Sequence, residues 1–302
     1  MKYFYIHPFK PQYFFPKGFK KHEVFISFFK PYSRIGEISW GLFRTFWLYR
    51  VLFGKRNIEA FIPEKAIRKI IGLEPLMAFN TGTLGADQKI TGLGKDKNDY
   101  FFIKYAQTPI AIKNVVNEHH ILSQISTLKF VPKIQYFYQD EKQVLLKTDV
   151  LNGTKLGNVL LDEIILKLLF KLSELSITSK NKSESSIKTV FSHGDFCPWN
   201  MMEQKGQVLL FDWEMGGYYP LGYDLFTFLF QSKFLLEPEK PIQSILLENK
   251  DIIDNYFTHF NISEWNSYLF VFSKVKVDLE KEKGAKSMLS QYKILLDYAE
   301  KA

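Results

Sequence analysis

The chain has 302 residues, enough for two ordinary domains or one large two-lobed enzyme with a substantial core. Hydrophobic residues at 46% and charged residues at 24% exclude a largely disordered chain, and a single cysteine, Cys197, excludes an intramolecular disulfide framework and a cysteine-cluster zinc site. The 40 Lys and Arg exceed the 32 Asp and Glu to give +8, but residues 1–75 alone hold 14 basic against 5 acidic side chains, so the remainder is close to neutral.

Residues 1–75 read as a basic, aromatic N-terminal extension with 18 Phe, Tyr and Trp before residue 54. Its first ten residues lack the basic-then-apolar pattern of a signal peptide. No apolar run reaches the roughly 18–20 residues that span a bilayer. A reducing, cytoplasmic setting is therefore expected. Residues 38–53 carry Trp40, Phe43, Phe46, Trp47 and Tyr49 with Arg44 and Arg50, and Lys55 and Arg56 follow directly. Two readings stand side by side. The segment is an interfacial helix giving peripheral contact with anionic lipid at the inner membrane surface, or its apolar side packs on the neighbouring lobe, the commoner fate of an aromatic stripe. Nucleic-acid binding by the basic segment is disfavoured.

Residues 76–150 read as short strands with one helix. Strand 76–80 leads into the turn Thr81-Gly82-Thr83-Leu84-Gly85, then strand 86–91, a Gly/Lys/Asp turn at 92–99 and strand 100–105. A helix follows over 110–125, with Ile112, Val115, Val116, His119 and Leu122 close to helical spacing, then strands at 134–139 and 143–147. Adjacent His119 and His120 point to different helix faces and do not form a metal pair. Residues 151–302 read as mostly helical, starting with an apolar helix at 160–175, and the Ser/Lys/Glu run 179–186 is a solvated loop.

The chemistry concentrates in Val-Phe-Ser-His-Gly-Asp-Phe-Cys-Pro-Trp-Asn, residues 190–200, and in Val-Leu-Leu-Phe-Asp-Trp-Glu, residues 208–214. Asp195 and Asn200 share one irregular loop, because Pro198 disfavours a continuous helix. An apolar strand delivers Asp212 at its end. Two carboxylates and an amide oxygen suit a magnesium–nucleotide site, since Mg²⁺ takes hard oxygen ligands. The carboxylate left over can orient and deprotonate a hydroxyl nucleophile.

These residues resemble the aminoglycoside phosphotransferase and choline kinase-like family, whose signature is His-Gly-Asp, four residues, Asn, and later an apolar strand ending in Asp. Here it stands as His193-Gly194-Asp195 with Asn200, then Asp212-Trp213-Glu214, and the continuation to Asp224-Leu225 is also similar. The resemblance spans about 76–302 and implies an α+β, two-lobed protein-kinase-like fold, with a β-rich N-lobe at 76–150 and a helical C-lobe at 151–302. It implies ATP and Mg²⁺ as cofactors and a small-molecule hydroxyl as acceptor. Asp195 then corresponds to the catalytic base, Asn200 and Asp212 to the magnesium ligands, and Asp224 to the aspartate bracing the catalytic loop. Lys104 takes the place of the phosphate-anchoring lysine, Glu118 that of its ion-pair partner, Gly82 to Gly85 the phosphate-covering turn, and 147–151 the lobe hinge.

His193 is expected to be a packed loop anchor, Cys197 an inert thiol, and Glu214 a carboxylate supporting the metal. The acceptor stays open among an amino alcohol, a sugar and an envelope-glycan precursor. Residues 225–302, with 10 Lys against 11 Asp and Glu, give no charge bias toward a cation. A non-catalytic, pseudokinase-like nucleotide-binding module in envelope or polysaccharide assembly is the alternative, disfavoured because every expected phosphoryl-transfer residue is present.

Overall fold

Alternation of side chains builds the first half of the chain into a sheet. The computed structural model describes residues 3–5, 12–21, 24–25, 34–45, 54–55, 58–72, 74–82, 85–97, 99–156, 160–178, 187–283 and 286–301. Strands β1 (Tyr3–Tyr5), β2 (Tyr13–Pro16), β3 (Gly54–Lys55), β4 (Leu76–Asn80), β5 (Ile90–Asp96), β6 (Asp99–Ala106), β7 (Ile134–Gln139) and β8 (Val144–Asp149) form one antiparallel sheet. Their order is β3-β1-β2-β4-β5-β6-β8-β7. Successive residues face opposite sides. Phe14, Met77, Phe79, Phe101, Ile103 and Tyr105 join one buried cluster, while Phe15, Ala78 and Leu93 join another.

The basic N-terminal segment supplies β1, β2 and β3, and β2 pairs with β4 through Tyr13↔Asn80 and Phe14↔Phe79. It is part of the sheet, and not only an extension ahead of it. Helix α1 (Arg34–Thr45) buries Trp40 and Phe43 with Phe15, Phe19 and Phe25. Phe43 stacks on Trp40 at 5.5 Å and on Phe19 at 5.4 Å. These two aromatics, candidates for lipid contact, are core residues. Phe46, Trp47, Tyr49, Arg50 and Arg56 lie outside the described residues. Replacing Phe43 by Ala should cost about 3–5 kcal/mol, read from the urea midpoint, whereas exposed Leu42→Ala on the same helix should change little. Equal effects would mean that α1 does not pack as seen here.

Two strand boundaries differ from the sequence reading. Residues 86–91 were expected as a strand and 92–99 as a turn, yet β5 runs through Gly92 and Gly94. Gly94 pairs with Phe101, whose ring occupies the space a Cβ would take, 2.1 Å from it. Glycine here makes room for an aromatic ring and does not end the strand. Helix α2 (Glu64–Ile71), closed by Gly72 in a left-handed conformation, and α3 (Pro109–Gln124) complete the first half.

By contacts the chain divides into two units, 1–119 with 132–150, and 120–131 with 151–302. The second is mainly helical: α4 (Glu163–Ser173), α5 (Tyr223–Leu236), α6 (Ile242–Glu248), α7 (Lys250–His259), α8 (Asn266–Lys283) and α9 (Lys286–Lys301). Asp162 caps α4 by accepting from the Ile165 N–H at 2.9 Å. Short strands β9 (Thr154–Lys155), β11 (Met201–Gln204) and β12 (Gln207–Leu210) form one small sheet, and β10 (Thr189–Ser192) pairs with β13 (Gly217–Pro220). Helix α5 is apolar nearly all round and buried accordingly. The expected loop 179–186 lies outside the described residues. Among the described residues no helix is long and apolar enough to cross a membrane.

Candidate active site

The N-terminal unit supplies a buried ion pair. Lys104 projects from β6 and Glu118 from α3, and Nζ donates to Oε2 at 2.5 Å with both side chains out of solvent. Burying two charges is costly, and the pair survives because each neutralises the other. The glycine turn behaves differently from a free anion cradle. Gly82, with φ +72°, donates its N–H to Asn80 Oδ1 at 2.9 Å, and a Cβ there would meet the Lys89 carbonyl oxygen at 2.4 Å. The Gly85 carbonyl accepts from the Gln88 N–H at 3.2 Å. Thr83 and Leu84 lie outside the described residues. Lys147 of the expected hinge sits in β8, its ammonium 4.2 Å from the Phe101 ring centroid.

The C-terminal unit assembles the other predicted residues around the loop after β10. Asp224, in the first turn of α5, accepts from the backbone N–H groups of His193 at 2.6 Å and Gly194 at 3.0 Å, which braces the loop as expected. Burial pushes its carboxyl above the ordinary carboxylate range, against the opposing pull of His193 and the two backbone donors. Gly194 holds φ +83°, and a Cβ would lie 2.2 Å from the Met215 carbonyl oxygen, so only glycine lets the chain pass. His193 is fully buried. Its Nδ1 accepts from the Asp195 N–H at 3.3 Å, which leaves the proton on Nε2 to donate to the Phe211 carbonyl at 3.0 Å. It is an anchor joining the two loops, as expected.

Asp195 follows at a partly exposed position with both carboxylate oxygens engaged. Asn200 Nδ2 donates to Oδ2 at 2.8 Å and to the Asp195 backbone carbonyl at 2.9 Å, while Gln231 Nε2 donates to Oδ1 at 2.8 Å. The buried Cys197 thiol also leans on Oδ1 at 3.6 Å, and burial raises its pKa well above the usual thiol value, so it stays protonated. Both N–H groups of the Asn200 amide are thus directed at Asp195, which turns its Oδ1, a hard acceptor, the other way.

Asp212 ends the strand-like run after β12 in a left-handed conformation, φ 68° and ψ 59°. The Phe211 N–H donates to the Asn200 carbonyl at 3.1 Å, so the Asp212 and Asn200 segments are directly tied. A carboxylate oxygen of Glu214 lies within 4.8 Å of one of Asp212. Two near carboxylates and an amide oxygen are a donor set for a hard divalent cation. Trp213, fully buried between them, stacks on Phe191 and packs on His193, which fixes the strand end.

Gln231 was not singled out from the sequence. Its signal is a polar stripe in an apolar helix: Asp224, Thr227 and Gln231 recur at i, i+3 and i+7 of α5, the spacing of one helix face. Asp224 and Gln231 both reach the same loop from that face.

A family model described as the phosphotransferase enzyme family matches residues 155–243, the segment that contains this loop, Asp212 and Asp224. No curated protein matches the sequence. Among solved structures, choline kinase LicA from Streptococcus pneumoniae is similar at 15% identity and a TM-score of 0.54, covering 80% of this chain and 99% of that one. The amicoumacin kinase hAmiN, in complex with AMP-PNP and Ca²⁺, is similar at 12% identity and 0.53, covering 80% and 95%. An aminoglycoside phosphotransferase from Streptomyces rimosus, in complex with ADP and streptomycin, is similar at 12% and 0.50, covering 76% and 98%. The fold is therefore the two-lobed kinase-like fold of these phosphotransferases. The resemblance read from the loop after β10 agrees with the match of the phosphotransferase family model to residues 155–243.

Proposed function

We propose that the chain is an ATP- and magnesium-dependent small-molecule kinase that transfers a γ-phosphoryl group to a hydroxyl. The observation that carries this reading is the hold on Asp195: two side-chain amides fix its carboxylate while the Asn200 amide oxygen is turned toward a different task. Asp195 accepts the proton of the acceptor hydroxyl as that oxygen forms its bond to phosphorus and the bond to the ADP oxygen breaks. Asn200 and Asp212 would hold Mg²⁺, with Glu214 beside Asp212; the ion supplies charge neutralisation at the phosphates. Lys104, oriented by Glu118, anchors phosphate oxygens; of the turn proposed to cover them, Gly82 already commits its N–H to Asn80. Binding of AMP-PNP and Ca²⁺ by the similarly folded amicoumacin kinase supports the nucleotide and divalent-metal requirement.

The acceptor is a neutral or amino-bearing small hydroxyl compound: an amino alcohol, a sugar or an envelope-glycan precursor. Dependence on ATP, with one buried reduced thiol, suits a cytoplasmic enzyme. The test is transfer of labelled phosphate from ATP across a panel of such acceptors, beside nucleotide binding by thermal shift. Binding with no transfer to any acceptor and no hydrolysis would instead favour a pseudokinase-like module.

Lys104→Met should abolish most turnover and also lower stability, because a buried Glu118 then loses its ion-pair partner, at a cost of about 3–5 kcal/mol. The double variant Lys104→Met/Glu118→Leu should regain the stability, seen in the melting temperature, but not the affinity for Mg·ATP. Recovery of both would show that Lys104 has no phosphate role.

A further inference from the structure

Behind Asp195 a chain of side chains runs into the core of the C-terminal unit. Gln231 Nε2 donates to Asp195 Oδ1 at 2.8 Å, and Gln231 Oε1 accepts from Lys276 Nζ of α8 at 3.2 Å and from the Tyr292 hydroxyl of α9 at 3.4 Å. Lys276 is buried, and its ammonium lies 4.8 Å from the Tyr223 ring centroid and 5.8 Å from those of Phe272 and Tyr292.

An amide has two ends of nearly equal shape, and only its partners decide which way it points. An ammonium can only donate. The end of Gln231 that meets Lys276 must therefore be the oxygen, which leaves the NH₂ end for Asp195. With Lys276 removed, Oε1 keeps only the longer bond from the Tyr292 hydroxyl at 3.4 Å, and the amide is held less firmly against Oδ1. Asn200 already holds Oδ2, so the Gln231 bond fixes the plane of the carboxylate. A buried ammonium costs desolvation that an apolar side chain of similar volume would avoid, so packing alone does not call for lysine here.

We infer that Gln231 and Lys276 are positioning residues for the catalytic base: Lys276 sets the orientation of the Gln231 amide, and Gln231 in turn fixes the carboxylate of Asp195. This rests on the reading of Asp195 as the base of a phosphotransferase. Neither residue touches the reacting atoms; both act through Asp195.

The test uses the full chain and Mg·ATP hydrolysis with water as acceptor. Gln231→Met and Lys276→Met should each lower kcat by about 10- to 100-fold, the order expected for a displaced catalytic group, with KM for ATP unchanged. The double variant should be no slower than the worse single one, since both act through one bond. Lys276→Arg, another donor-only cation, should recover most of the rate. Additive losses, or a lower melting temperature with kcat unchanged, would overturn the inference. An activity-independent readout is the pair of Gln231 side-chain amide protons in ¹H–¹⁵N spectra, assigned by their loss in Gln231→Met. They should shift in both Asp195→Asn and Lys276→Met; protons that move in neither variant would also overturn it. If Asp195→Asn hydrolyses ATP at the normal rate, the assignment of the base fails, while the amide shifts still report whether Lys276 orients Gln231.

Discussion

Asp195→Asn is expected to lower phosphoryl transfer by about 10²–10⁴-fold, the usual contribution of a general base, while Mg·ATP affinity changes little. The substitution keeps the side chain's size but removes the charge that takes up the hydroxyl proton. It has one local cost that the geometry makes explicit. Both oxygens of Asp195 accept from NH₂ groups, Oδ2 from Asn200 and Oδ1 from Gln231. The new amide must present its own NH₂ to one of them, donor against donor. The loss of that hydrogen bond should cost about 1–3 kcal/mol of stability, a drop in melting temperature too small to explain the rate. Measured at saturating acceptor and ATP, full activity in this variant would show that the loop after β10 is not the phosphotransfer site.

The loop after β10 was legible in the sequence because the signature it resembles ties particular residue types to fixed spacings within one short stretch. Asp195 and Asn200 are five residues apart and meet directly, and Asp224 reaches back to the two N–H groups it was expected to brace. Lys104 and Glu118 were legible too, since a strand followed at once by a helix brings such a pair together locally. What was not legible depends on distant pairing. Strand β2 meets β4 across more than 60 residues, and no local periodicity announces that partnership. The N-terminal segment therefore read as a separate piece, although its Phe14 and Phe15 face opposite sides of the shared sheet.

Gly92 and Gly94 misled for a related reason: a glycine that admits Ile103 or Phe101 from the next strand looks, in sequence, the same as one that makes a turn. Gln231 and Lys276 were hidden in aromatic helices. Lys276 reads as one more of the lysines along α8 until the packing shows it buried and turned toward Gln231.

Asp212→Asn should act on a different quantity from Asp195→Asn. The backbone of Asp212 is left-handed, a conformation that Asn tolerates and most residues do not. Asn is therefore the substitution that alters charge without adding strain; Ala at this position would confound the two. Loss of the anionic ligand should weaken metal-dependent nucleotide binding at least tenfold. Turnover should fall further, because the neutralisation an ion provides is worth several kcal/mol in the transition state, or about 10²–10³ in rate. Raising Mg²⁺ should recover part of both. Stability without nucleotide should move the other way. Glu214 places a carboxylate oxygen within 4.8 Å of Asp212, and removing one of two like charges relieves their repulsion. The variant should then melt no lower than the natural protein when no metal is added, yet gain less on addition of Mg·ATP. A variant that keeps the natural Mg²⁺ dependence and the natural Mg·ATP thermal shift would remove Asp212 from the metal site, whatever its effect on rate.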